Sequence, residues 1–123
     1  MTHQYTIAVV DDDESIRNAL RRLLQTGGYV VETFASADAI LERISAARPD
    51  CLLLDLQLDG TSGLQLQQQL RAAEHRIPTV IISSHLDDAT RQAALRVGAL
   101  DILSKPIDTE TLLNSILKAL ENT

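Results

Sequence analysis

Five short apolar runs, each followed by a stretch with helical spacing of apolar residues, constrain this chain more than any other feature. The runs are Tyr5 to Val10, Tyr29 to Phe34, Cys51 to Leu54, Thr79 to Ser83 and Asp101 to Ser104. Each is rich in β-branched or aliphatic residues, and the flanking residues turn polar abruptly, which predicts strands. Runs this nearly continuously apolar leave little for a water-facing side. They predict strands covered on both faces, the condition of a parallel sheet.

The intervening segments read as helices. Ile16, Leu20, Leu23 and Leu24 make one stripe, which Gly27-Gly28 ends as a left-handed cap requires. Ser36 caps a second helix with an apolar face of Ala37, Ile40, Leu41 and Ile44. Ser62 and Gln65 form a capping box for a third, which should bury Leu66, Leu70 and Ala73 and leave Gln65, Gln67, Gln68 and Gln69 in solvent. Asp87 caps a fourth helix poor in large apolar residues (Ala89, Ala93, Ala94 and Val97), and Gly98 ends it. The fifth starts near Asp108-Thr109 and carries a strong stripe of Leu112, Leu113, Ile116, Leu117 and Leu120. Five strand–helix pairs with right-handed crossovers predict a flavodoxin-like (βα)5 three-layer α/β sandwich, its five-stranded parallel sheet in the order 2-1-3-4-5.

Size and charge narrow the function. At 123 residues the chain is one domain, spanning 1–123, with room for a real core. A net charge of −6 repels a polyanion, and 2% aromatics leave little for base stacking, so this segment is not expected to bind nucleic acid itself. No apolar run reaches membrane-spanning length, and Met1-Thr2-His3-Gln4 does not resemble a signal peptide. The single Cys51, inside an apolar run, predicts a buried thiol. A soluble, cytoplasmic domain without membrane contact is the expectation.

Polar residues end these runs at one rim, where parallel sheets of this kind bind ligands. Asp11 and Asp12 follow the first strand, Asp55 the third, Ser83 the fourth and Lys105 the fifth. Carboxylates about 5 Å apart repel by roughly 3 kcal/mol per pair at an effective dielectric near 20. Such a group calls for a cation, and an all-oxygen donor set suits Mg²⁺ better than zinc. Lys105 supplies a second positive charge, and Ser83 a hydroxyl that can donate to a phosphoryl oxygen.

With these residues in place, the chain closely resembles the receiver domain of two-component response regulators, from Ile7 to Leu120. The matching motifs are Val9-Val10-Asp11-Asp12, Leu54-Asp55 with Ser62-Gly63 behind, Ile77-Pro78 leading to Ser83, and Gly98-Ala99 leading to Lys105-Pro106. Through Gly98-Ala99-Leu100-Asp101 and Lys105-Pro106-Ile107 it is most similar to FixJ- and NarL-type receivers. The resemblance implies that Asp55 accepts a phosphoryl group from a sensor histidine kinase. It implies Mg²⁺ positioned by Asp11, Asp12, Asp55 and the backbone carbonyl of Gln57, with Asp12 a direct ligand and Asp11 acting through water. Ser83 would swing toward the phosphoryl group, Lys105 would pair with it, and the Lys105–Pro106 bond would be cis. The face made by the fourth helix, fifth strand and fifth helix would then change, with dimerisation an expected outcome. An output such as transcription would need a DNA-binding domain that this chain lacks; a stand-alone receiver or phosphorelay protein is the alternative.

Three positions depart from the family pattern. Asp59-Gly60 stands where Pro is usual, predicting a looser and more acidic loop; Ser83 replaces the usual Thr; Ile102 replaces the aromatic whose ring rotates inward. Ile is stiff at its first torsion and has no ring to turn. Gln57 and His85 flank the predicted phosphoryl site and are candidates to tune its hydrolysis. Two rival readings are a haloacid-dehalogenase-type phosphatase using Asp11 of Asp11-x-Asp13-x-Ser15, and a flavin carrier. The first leaves Asp55 unexplained, and the second lacks a phosphate-cradling loop after the first strand and aromatics to sandwich the ring.

Overall fold

The computed structural model describes residues 4–58 and 62–121. Its strands are β1 (Thr6–Val10), β2 (Val30–Phe34), β3 (Cys51–Asp55), β4 (Thr79–Ser83) and β5 (Asp101–Ser104). They alternate with helices α1 (Glu14–Thr26), α2 (Ala37–Ala46), α3 (Gly63–Ala72), α4 (Asp88–Arg96) and α5 (Thr109–Glu121). The sheet is parallel throughout, in the order β2-β1-β3-β4-β5, as the alternation predicts. Met1–His3 and the Asp59-Gly60 departure lie outside the described residues. Among the described residues no helix is long and apolar enough to cross a membrane.

Alternation along each strand divides the core in two. Ile7, Val9, Cys51, Leu53, Val80, Ile82 and Leu103 meet Leu20 and Leu24 of α1 and Leu112, Ile116 and Leu120 of α5. On the other face Ala8, Val10, Leu52 and Leu54 meet Ile40 and Ile44 of α2 and Leu66 and Leu70 of α3. A third, smaller group joins Leu56, Ile81 and Ile102 to Ala94 of α4 and Ala99. Ala94 is the only residue of α4 that is buried, so this helix is held less firmly than its neighbours.

The caps predicted for α2 and α3 form, and Asp13 caps α1. Asp13 accepts from the Ser15 and Ile16 N–H groups, and Ser36 from Ala39. The Ser62–Gln65 box makes both of its bonds. The chain leaves α1 through Gly28 at φ 90°, a conformation that favours glycine.

Three burial expectations need correction. Gln67 is buried rather than solvated: Gly63, Leu66, Gln67 and Leu70 follow i, i+3, i+4, i+7, so helical period puts it on the inner stripe regardless of polarity. Ala73 falls at the C-cap and is exposed. Leu117 is exposed as well, because the inner stripe of α5 runs through Leu112, Ser115, Ile116, Ala119 and Leu120 and leaves it one step round the helix.

Candidate functional site

Asp55 is the last residue of β3, and Asp11 immediately follows β1. The ladder continues to the rim, through Asp11 N–H to the Phe34 carbonyl, Leu56 N–H to the Ile82 carbonyl and Lys105 N–H to the Ser83 carbonyl. Strand parity therefore extends to the rim. Asp11, Asp55 and Lys105 share the parity of Val9, Leu53 and Leu103, which face α1 and α5.

These three side chains meet. The Lys105 ammonium lies 3.2 Å from Asp11 Oδ2 and 3.2 Å from Asp55 Oδ2. The other oxygen of each acid accepts from a nearby backbone amide: Asp11 Oδ1 from Asp13 at 2.9 Å, Asp55 Oδ1 from Gln57 at 3.1 Å. Asp11 is wholly buried and Asp55 nearly so, whereas Asp12 is exposed at the mouth. Carboxylate oxygens of Asp11, Asp12 and Asp55 lie within 4.8 Å of one another. Three oxygen donors of graded exposure at this spacing fit a hard divalent cation with open positions.

Charge at this rim is tightly balanced. Burial pushes the Asp55 carboxyl above its usual range, against the Gln57 N–H, which favours the anion; Asp11 pushes it further up and Lys105 pulls it down. For Lys105, burial alone would lower the ammonium's pKa, but Asp11 and Asp55 together outweigh it and leave it raised.

Ser83 is at the same rim, with its side chain committed elsewhere. It has the parity of Ile81, which packs toward α4, rather than that of Val80 and Ile82. Its hydroxyl donates to the His85 carbonyl at 3.0 Å and accepts from the His85 N–H at 3.1 Å. Gln57 and His85 are both exposed, and Gln57 Oε1 accepts from Ser84 Oγ at 3.4 Å. The Lys105–Pro106 peptide is cis.

Two further residues support the site: Arg17, which no motif marks, and Gly63 of the Ser62-Gly63 motif. Arg17 of α1 donates to the Asp11 carbonyl at 2.8 Å, pinning the turn that carries the acids. Gly63 opens α3 against the end of β3, and its N–H donates to Leu56 O at 2.7 Å. The signal for Gly63 is its place after the Ser62 cap. Nothing in the spacing marks Arg17.

The site is thus a buried acid pair sharing one lysine, with a third acid at the mouth. The family model of the response regulator receiver domain matches residues 7–117. The chain belongs to this receiver family. The receiver is 36% identical over 115 residues to the response regulator protein TodT of Pseudomonas putida, covering 94% of this chain and 51% of TodT. It is 34% identical over 114 residues to the DNA-binding transcriptional regulator NtrC of Escherichia coli K12, covering 93% of this chain and 24% of NtrC. The solved structure of FixJ-N superposes with a TM-score of 0.91 at 30% identity, covering 99% of this receiver and 98% of FixJ-N. The receiver thus spans about half the length of TodT. With the family assigned, the hydrolase and flavin-carrier readings no longer stand. Receivers of this family are signalling domains of response regulators, and one of the relatives named, NtrC, is a DNA-binding transcriptional regulator.

Proposed function

We propose that residues 1–123 form a phosphoacceptor domain in which Asp55 takes a phosphoryl group from a sensor histidine kinase. The carrying observation is that Lys105 reaches Asp11 and Asp55 at once, with Asp12 completing an oxygen cluster within 4.8 Å. In the transfer, an Asp55 carboxylate oxygen forms a bond to phosphorus as the bond to the donor imidazole nitrogen breaks. Asp11, Asp12, Asp55 and the Gln57 carbonyl would hold Mg²⁺. When bound, that ion neutralises charge on the transferring phosphoryl group. Lys105 then pairs with a phosphoryl oxygen in place of one carboxylate contact. No turnover is assigned beyond self-phosphorylation and self-dephosphorylation at Asp55.

An apolar groove of about 310 Å³ opens beside the site, lined by Ile16, Ala19, Leu20 and Leu23 of α1 together with Lys105, Pro106 and Ile107. Its closeness to Lys105 supports it as the seat for a helix of the kinase. The new charge on Asp55 would draw Ser83 away from His85 and shift the loop leading to α4. Exposed Leu95, Leu100 and Leu117 lie on α4, the loop after it and α5, and give that face the apolar surface a phosphorylation-linked homodimer needs. Because TodT and NtrC extend well beyond the matched segment, transcriptional control through DNA would belong to a separate output domain. A cytoplasmic location follows from this role.

The test is incorporation of labelled phosphate from a small phosphodonor with Mg²⁺ and with EDTA. The parent chain should label only with Mg²⁺, and Asp55→Asn should not label. Equal labelling of that variant, or labelling indifferent to EDTA, rejects the reading.

A further inference from the structure

Asp12 is the least supported member of the acidic site. The Asp11 carboxylate is held by Lys105 and the Asp13 N–H, and that of Asp55 by Lys105 and the Gln57 N–H. Among the described residues the Asp12 carboxylate accepts no hydrogen bond and joins no salt bridge. It is exposed, yet one of its oxygens lies within 4.8 Å of oxygens on both buried acids. Only two torsions separate an aspartate carboxylate from the main chain, so here the main chain decides where it reaches.

That main chain is held by Arg17. The Asp11–Asp12 peptide falls after the last residue of β1 and before the Asp13 cap of α1, so neither the strand ladder nor the helix ladder takes the Asp11 carbonyl. Asp11 is wholly buried, and a buried carbonyl without a donor is rare and costly. Its donor is Arg17 Nη1, at 2.8 Å. Arg17 is itself fixed, since its own N–H closes the first turn of α1 on the Asp13 carbonyl at 3.0 Å. A peptide is planar, so holding its oxygen also sets the direction of the Asp12 N–H and Cα.

Charge pairing does not account for the contact. Asp11, Asp12, Asp13 and Glu14 all lead into the helix that carries Arg17. Among the described residues the salt bridges are Arg43–Glu32 and the two made by Lys105, so Arg17 pairs with none of these acids. It bonds a neutral oxygen and leaves Asp12 unneutralised, as a ligand to a cation must be.

We propose that Arg17 is a positioning residue for the divalent-cation site: by holding the Asp11 carbonyl it aims Asp12, which has no side-chain partner of its own. The role rests on the reading that Asp11, Asp12 and Asp55 hold Mg²⁺, and it is exerted through the peptide rather than on the ion.

Positioning and charge give opposite signs when Arg17 is removed. By Coulomb attraction alone a cation binds more tightly once a neighbouring positive charge is gone. Lost positioning makes it bind more weakly. Titration of the intact chain with magnesium chloride at constant ionic strength, followed through the Asp13 and Gln57 amide NMR shifts, reads the Kd and the folded state in the same spectra. Arg17→Met should weaken Mg²⁺ binding about tenfold, as when a group that orients a metal ligand is lost. Arg22→Met removes an equal charge from an exposed position on the same helix and should stay within about twofold of the parent. Phosphodonor labelling of Arg17→Met should need correspondingly more Mg²⁺, with a rate at saturation close to the parent's. If Arg17→Met gives no folded spectrum, Arg17→Lys, which keeps a charged donor, decides instead, with a loss of about threefold. Equal or tighter Mg²⁺ binding by the deciding variant overturns the inference and leaves the site reading intact, as does a lower saturating rate at an unchanged Mg²⁺ midpoint. A parent chain without Mg²⁺-dependent shifts overturns the site reading, and this role with it.

Discussion

Gly63 is packed so closely against Asp55 that a Cβ at position 63 would lie 2.6 Å from the Asp55 carbonyl oxygen and 2.8 Å from Leu56 Cα. Both obstacles are backbone, so neither yields by a rotamer change. The contact lets α3 start directly over the end of β3 and fixes the backbone that carries the proposed phosphoacceptor. Gly63→Ala is therefore expected to destabilise the fold by about 2–3 kcal/mol, toward the upper end of overpacking costs. It should also slow phosphodonor labelling at temperatures where the variant remains folded. Urea unfolding and labelling rates check both parts; a neutral substitution would mean that α3 is free to slide.

Lys105 holds the acidic group together by charge. Removing it as Lys105→Met leaves Asp11 and Asp55 facing one another with only backbone N–H groups for relief. The site is partly open, so the expected loss without a divalent ion is on the order of 1–3 kcal/mol, below that for a fully enclosed pair. Mg²⁺ should restore more stability to this variant than to the parent, because the ion then supplies the missing positive charge. Melting curves with and without Mg²⁺ separate the cases, and equal shifts in both proteins would reject the account.

Strand order and the grouping of Asp11, Asp55 and Lys105 were legible in the sequence because alternation of buried runs leaves few arrangements of a parallel sheet. Rim position follows from each residue ending its run. Side-chain direction is a finer matter: period-two parity, counted from Ile81, sends Ser83 to the other face from Asp55, and position at the rim alone does not reveal it. Gln67 is the opposite case, where polarity suggests exposure although i, i+4 spacing from Gly63 assigns it inward. Arg17 depends on a turn conformation with no local signature.

Acid should loosen two helix starts. Asp87 accepts from the Thr90 N–H at 2.7 Å, and Asp108 from the Thr111 N–H at 2.9 Å and its hydroxyl at 2.8 Å. Bonds to the Thr90 side chain and backbone hold the Asp87 carboxyl below its ordinary value, and the Thr111 backbone and hydroxyl do the same for Asp108. A folded pKa below the unfolded one gives stability that is present above the unfolded pKa, near 3.9, and lost as pH falls through the depressed value. Amide exchange in the first turns of α4 and α5, corrected for intrinsic rates, should rise below about pH 4. Asp87→Asn with Asp108→Asn keeps cap acceptors that do not titrate, so the rise should flatten; an unchanged acid response would place its origin elsewhere.

Ile102 lies in the core of this structure, 5% exposed, against Leu56, Ile81, Ala94 and Ala99. The family's usual aromatic turns inward as the neighbouring hydroxyl residue moves; this side chain is already inward and has one stiff torsion. On the proposed reading, a change at Asp55 would then reach the α4–β5–α5 face by displacing α4, whose buried contact at Ala94 touches the same group. Ile102→Ala should cost about 2–4 kcal/mol, as a cavity opens where α4 rests. Ile102→Val should cost only about 0.5–1.5 kcal/mol. With a beryllofluoride phosphate mimic, methyl carbon shifts should report the same Ile102 rotamer as without it, while amides of α4 move. A change in that rotamer, with α4 amides unmoved, would return the switch to the side chain and remove α4 displacement as its basis.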